Sequence, residues 1–155
     1  MLIGIILMNI PSHDNNPVKE KEVIYEVLNN YQEYDNENNG YYYVPNIDLS
    51  GKSGFIDVSY YDDGISYSDF NEVASNIKKG LELEETEIKD FTIYDNNKNN
   101  KVIYFSASFD DFEEYIYYVF KDTKYAIIDG FNYHDNDNSN ISIDAKKIAD
   151  SFDFK

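Results

Sequence analysis

FTIYDNNKNNKVIYFSASFDDFEEYIYYVFKDTKYAIIDGF, residues 91–131, is the stretch whose reading decides the fold. Phe91 to Tyr94 and Val102 to Phe109 are rich in β-branched and aromatic residues, and Ile103, Phe105, Ala107 and Phe109 alternate along the second run. The Asn-rich segment Asp95 to Asn100 separates them, because Asn and Asp tolerate the left-handed backbone and bond their own main chain in turns. Tyr115 to Phe120 and Tyr125 to Phe131 follow, joined at Asp122-Thr123 by a spacing that suits a tight hairpin. Four successive strands with short connections predict an antiparallel meander.

Working upstream, Ser68 precedes Asp69 and Glu72, and Phe70, Val73, Ala74 and Ile77 fall on one face before Lys78, Lys79 and Gly80. Cap, acidic first turn, basic last turn and closing glycine agree with the helix dipole, so a helix capped by Ser68 and ending at Gly80 is predicted. Phe55 to Tyr61 reads as a half-buried strand, with Phe55, Asp57 and Ser59 alternating with Ile56, Val58 and Tyr60. Tyr41 to Val44 is a further strand, stopped by Pro45. Asn16-Pro17 reads as a helix start, and Ile24, Val27, Leu28 and Tyr31 recur at helical spacing, which predicts a helix over 18–34. Downstream, Asp144 is the expected cap of a short helix presenting Ala145, Ile148, Ala149 and Phe152 on one face. Without regular βαβ alternation, the fold class is α+β, an antiparallel sheet flanked by helices with an extra N-terminal helix. The expected organisation is a segment 1–15 followed by one domain, 16–155.

The chain has 155 residues, a length that buries a core without disulfides or metal, and 17% aromatics supply the apolar mass that disordered acidic chains lack. Thirty acidic residues oppose 13 basic ones, all lysine, for a net charge of -17. Scattered lysines on so acidic a chain repel nucleic acid and anionic lipid, whereas basic partners remain open. The richness in Asn, Tyr, Lys, Ile and Asp also matches the codon usage of an AT-rich genome, an alternative to a functional reading of this bias. Zero cysteine excludes thiol catalysis, Cys-ligated zinc and lipid attachment to cysteine. Leu2 to Met8 is a seven-residue apolar run, too short to span a bilayer and without the basic start of a signal peptide. It is expected to be either the tail of an export signal or membrane anchor beginning upstream of Met1, or a short first strand. A mature terminus at Met1 in the cytosol would sink the export idea.

No motif states a chemistry. Asp35-Asn36-Glu37-Asn38-Asn39-Gly40 places oxygen ligands at Asp35, Glu37 and Asn39 with a sixth-position glycine, as a calcium loop does, but Asn46 stands where the bidentate glutamate belongs. The turns Asp95 to Asn100 and Asp135 to Asn140 lack both the glycine and the glutamate, and turn chemistry accounts for all three stretches without a metal. His134, with Asp129, Asp135 and Asp137 nearby in sequence, is either a weak divalent site or a surface loop residue. Thirty carboxylates offer many acid-base pairs and mark none. With no nucleophile elbow, no phosphate loop and one usable histidine, neither an enzyme nor a cofactor is expected. Tyr41 and Tyr43 share one strand face and Tyr115 and Tyr117 another. If exposed, such a tyrosine strip would bind a protein or a glycan. The same rings also suit the core of a tryptophan-free protein.

The order of pieces resembles the PsbP-like domains, from the strand Tyr41-Tyr42-Tyr43-Val44-Pro45, through the strand-helix unit Ile56 to Ile77, the hairpin Lys101 to Phe120 and the strand Tyr125 to Ile128, to the closing Ile148-Ala149-Asp150-Ser151-Phe152. The resemblance covers roughly residues 41–155. It implies an antiparallel sheet flanked by helices, acting as a non-enzymatic binding or assembly module for a protein partner, often exported or membrane-associated. No functional residue carries over from it. The competing expectation is a cytoplasmic acidic inhibitor, of immunity or antitoxin type, that neutralises a basic protein through carboxylates such as Asp110, Asp111, Glu113 and Glu114.

Overall fold

The structure, a computed structural model, describes residues 21–36, 39–47, 54–83, 86–136 and 140–155. The apolar run Leu2–Met8 and residues 18–20 of the expected first helix lie outside the described residues. In chain order the elements are β1 (Val23–Ile24), β2 (Tyr31–Asn36), β3 (Gly40–Pro45), β4 (Gly54–Asp62), α1 (Phe70–Leu83), β5 (Glu87–Asp95), β6 (Lys101–Ser108), β7 (Phe112–Lys121), β8 (Lys124–Tyr133), α2 (Asn140–Ser151) and β9 (Asp153–Phe154).

A seven-stranded sheet runs in the order β2-β3-β4-β8-β7-β6-β5, with every pair antiparallel. The predicted meander is its β5-to-β8 half. The β7–β8 hairpin closes at Lys121↔Lys124, where Asp122 takes φ 53°. Helices cover opposite faces. Ile141, Ala145, Ile148 and Ala149 of α2 pack with Ile56, Val58, Val119 and Ile128. Ala74 and Leu81 of α1 pack with Ile103, Phe105, Ile116 and Tyr118. Neighbouring residues on one strand, such as Tyr118 and Val119, therefore feed different cores, as the two-residue pleat requires. The fold is α+β, an antiparallel sheet flanked by helices.

The expected helix over 18–34 is not what its described part forms. Val23 pairs with Phe154 and Ile24 with Asp153, making a two-stranded sheet of β1 and β9, while Tyr31–Asn36 is an edge strand beside β3. Of the helical stripe Leu28 is 8% exposed and Tyr31 half-buried, but Ile24 and Val27 are 51% and 71% exposed, so its four residues do not share a buried face. The run Val23-Ile24-Tyr25 is β-branched and aromatic, which disfavours helix and suits a pleat. Asn39, at φ 67°, then turns β2 into β3.

The helix ends also differ. Asp69 caps α1, its Oδ1 accepting from the Glu72 amide at 3.0 Å, in place of Ser68. Past Gly80 the helix runs on to Leu83, because Leu81 is buried in the sheet core and packing overrides the glycine stop signal. α2 begins at Asn140 rather than at Asp144. Asp144 lies within it and accepts the Tyr31 hydroxyl at 2.8 Å, joining the helix to the edge strand.

Candidate functional site

The helices cover the sheet unequally. α2 packs on β4, β8 and β7, so on its side the β5–β6 end of the sheet, up to β7, is left beside the helix rather than beneath it. Tyr94 of β5, Tyr104 of β6 and Tyr115 and Tyr117 of β7 meet there, because the registers Tyr94↔Val102 and Tyr104↔Tyr117 bring these strands into step. With Ile143 and Lys146 of α2 they wall a groove of about 490 Å³.

The Tyr104 and Tyr117 rings stack at 4.5 Å between centroids. Tyr94 donates its hydroxyl to Asp150 Oδ1 at 2.8 Å, and the Lys146 ammonium stands 5.4 Å from the Tyr94 ring centroid. Lys146 also pairs with Asp150 one helical turn away. Burial raises the Tyr94, Tyr104 and Tyr117 phenols above their ordinary value, and for Tyr94 the Asp150 carboxylate adds to the shift. All three remain neutral near neutral pH. Ile143, 53% exposed, adds an apolar side chain at the rim. A wall of ring faces with hydroxyl tips can take up an apolar or cationic side chain while offering uncharged hydrogen-bond partners.

Of the tyrosines singled out in the sequence, Tyr115 and Tyr117 enter this groove, Tyr115 half-buried and Tyr117 as its buried floor. Tyr41 and Tyr43 are buried in the α2-side core. Tyr43 donates to Glu33 Oε2 at 2.8 Å, and Lys21 stands 4.4 Å from the Tyr41 ring centroid. Burial pushes the Tyr41 phenol up to about 12. The residues missed were Tyr94 and Tyr104. Their signal was visible, since each sits in a predicted strand, but nothing local said which sheet face the helix would leave open.

The described residues of the acidic turns are not gathered into a metal centre. Asp35 lies on β2 opposite Tyr41, Asn39 is an exposed turn residue, and Glu37 lies outside the described residues. Among the described residues no three carboxylate or imidazole groups converge to hold a metal ion. His134 is exposed, its Nδ1 donating to the Asp110 carbonyl at 3.0 Å and its Nε2 3.5 Å from Glu113 Oε1. Glu113 also accepts from Lys89 and Ser108, at 3.0 and 2.7 Å. Of the four carboxylates expected to steer a basic partner, Asp110 and Asp111 are exposed and Glu114 is fully buried.

That burial marks a second feature. On the α1-side face, Asp57 of β4 stands opposite Asp129 of β8, and Glu114 of β7 stands opposite Phe131, one pleat further along β8. Strand register thus aligns three carboxyl groups that sequence distance had kept apart. Asp57 accepts from Asn36 Nδ2 at 2.9 Å and from Ser59 Oγ at 3.2 Å, yet burial still pushes it up to about 6.

No protein-family model matches the chain, and no curated protein matches its sequence. The chain is similar to the solution structure of cyanobacterial PsbP (CyanoP) from Synechocystis sp. PCC 6803, with a TM-score of 0.56 and 11% identity, over 94% of this chain and 99% of that one. An identity this low shows a common fold and nothing finer.

Proposed function

We propose that this protein is a non-enzymatic binding or assembly module, exported or membrane-tethered, that holds a protein partner in the tyrosine groove between α2 and β5–β7. The observation that carries this reading is the groove itself, where Tyr94, Tyr104, Tyr115 and Tyr117 converge from three strands beside the exposed Ile143. Tyrosine is enriched at interfaces because it adds large, rigid contact area at low entropic cost and brings a hydroxyl with it. The shared fold with cyanobacterial PsbP and the apolar run Leu2 to Met8 support the assembly and envelope parts of the reading. A net charge of -17 favours a partner with a basic surface.

That charge also favours a second reading, in which the exposed Asp110 and Asp111 lead the capture of a basic cytoplasmic protein. The two separate in one experiment: retention of proteins from envelope and cytosolic fractions on the tagged full chain, at low and moderate salt, compared with Tyr94→Ala/Tyr115→Ala and Asp110→Asn/Asp111→Asn. The groove reading expects an envelope protein that survives moderate salt and is lost only with the tyrosine pair. A cytosolic protein released by salt and lost only with the aspartate pair would replace it with the neutraliser.

A further inference from the structure

Glu114 is 0% exposed, and both of its carboxyl oxygens, together with Asp129 Oδ1, are buried with no hydrogen-bond partner among the described residues. Ionised carboxylates only accept hydrogen bonds, so two of them side by side satisfy neither. A proton on either one turns that group into a donor to the other, and two of the three unpartnered oxygens are then paired. The groups around the row do not supply an alternative. Tyr42 faces Asp57 from β3, Asn36 from β2 and Ser59 from β4 bond Asp57, and Ala107 of β6 stands opposite Glu114. Tyr118 of β7 lies close enough to feel both Asp129 and Glu114, and Tyr61 and Tyr125 lie beyond it. α1 contributes apolar side chains such as Ala74 and Leu81 to this face. Among the described residues the ion pairs of the lysines and of His134 are all made with other carboxylates.

We propose that Asp57, Asp129 and Glu114 form a proton-binding site that ties the packing of β4, β8 and β7 to pH. With a proton held between Glu114 and Asp129, the row staples the three central strands. Without it, like charges sit on adjacent strands of one buried face, an arrangement that destabilises a sheet. The Phe55–Phe131 stack, 4.5 Å between centroids on the same face, lies next to the row and loosens with it.

Burial raises Glu114, and burial followed by the Glu114 and Asp57 charges raises Asp129 well above the usual carboxylate range. An acid whose pKa is higher folded than unfolded binds its proton more tightly in the fold. Its stabilising proton is fully present below about pH 4, the unfolded range, and is lost as pH rises through the folded value. For Asp57 that window closes at about 6, and for Asp129 it likewise closes well above the ordinary carboxylate range.

The test measures unfolding equilibria from pH 4 to 8 for the wild type, Glu114→Gln and Glu87→Gln, the last removing one exposed carboxylate from β5. Each proton held by the fold alone lowers the folded-to-unfolded ratio about tenfold per pH unit across its window. Glu114→Gln, whose amide donates permanently to Asp129, is expected to remove about one proton's worth of this slope, whereas Glu87→Gln keeps the wild-type slope. Carboxyl 13C titrations of the wild type read the same site directly and do not depend on any variant folding. Glu114 and Asp129 resonances titrating near pH 4 in the folded protein, or a Glu114→Gln slope equal to that of Glu87→Gln, would overturn the proposal.

Discussion

Asn96 holds the turn between β5 and β6 against the end of α2, and its removal gives the sharpest test of how this fold is joined. The side chain is buried and all of its hydrogen-bonding capacity in this turn is engaged. Nδ2 donates to the carbonyls of Ala149 and Phe152 at 2.9 and 3.0 Å, while Oδ1 accepts from the amides of Lys98 and Asn100 at 3.0 Å each. Carbonyls at a helix C-terminus have no partner within the helix, and here a turn from another part of the chain supplies one. The Asn97 amide does the same for Asp150 at 3.0 Å. Asn96→Ala deletes four bonds. Phe152 O keeps the Asn100 side chain, at 3.0 Å, and Ala149 O keeps the Phe152 amide, at 3.4 Å, so the group most fully stranded is the buried Asn100 amide. At about 0.5–1.5 kcal/mol net per bond, four bonds come to about 2–6 kcal/mol, and the donors that Phe152 O and Ala149 O keep hold the expected loss to about 2–4 kcal/mol. In urea this moves the unfolding midpoint down by roughly 1–2 M with an unchanged slope. Asn96→Asp keeps the acceptor but turns an anionic oxygen toward the negative end of the α2 dipole, so it is expected to be less stable than Asn96→Ala at pH 7 and to recover in acid. A loss below about 1 kcal/mol for Asn96→Ala, or a more stable Asn96→Asp at pH 7, refutes the idea that this turn caps α2.

Two further pairs of substitutions probe local geometry. Gly54 takes φ 132°, and a Cβ there would stand 2.0 Å from the Phe131 carbonyl, whereas Gly64, at φ 72°, meets nothing within 4 Å. Gly54→Ala is therefore expected to cost more than about 3 kcal/mol or prevent folding, and Gly64→Ala about 1 kcal/mol, read as thermal midpoints. Asp69→Ala, which removes the observed cap of α1, is expected to cost about 1 kcal/mol, while Ser68→Ala stays within about 0.5 kcal/mol in chemical denaturation. Equal losses at both positions would contradict the cap assignment.

Local signals and tertiary contacts divide the molecule cleanly. The β5–β8 meander and α1 were legible because alternation, turn chemistry and an acidic first turn act within a few residues of chain. Asn-rich turns were legible as turns, but not as the caps of a distant helix. The segment holding Ile24, Val27, Leu28 and Tyr31 carried a helical spacing that loses to pairing of Val23 with Phe154, a partner at the other end of the chain. No local pattern encodes that partner.

The candidate sites follow the same rule. Composition alone determined an acidic, cysteine-free chain with the apolar mass to fold, and strand periodicity determined that its tyrosines would lie on sheet faces. Which face stays open depends on where α2 docks, so Tyr41 and Tyr43 went into the core while Tyr94, Tyr104 and Tyr115 line a groove. Asp57, Glu114 and Asp129 are neighbours only through the registers of β4, β8 and β7. A sequence determines its own periods and turns, but register and layer order are set by burying all faces at once, and that joint constraint decides which side chains meet.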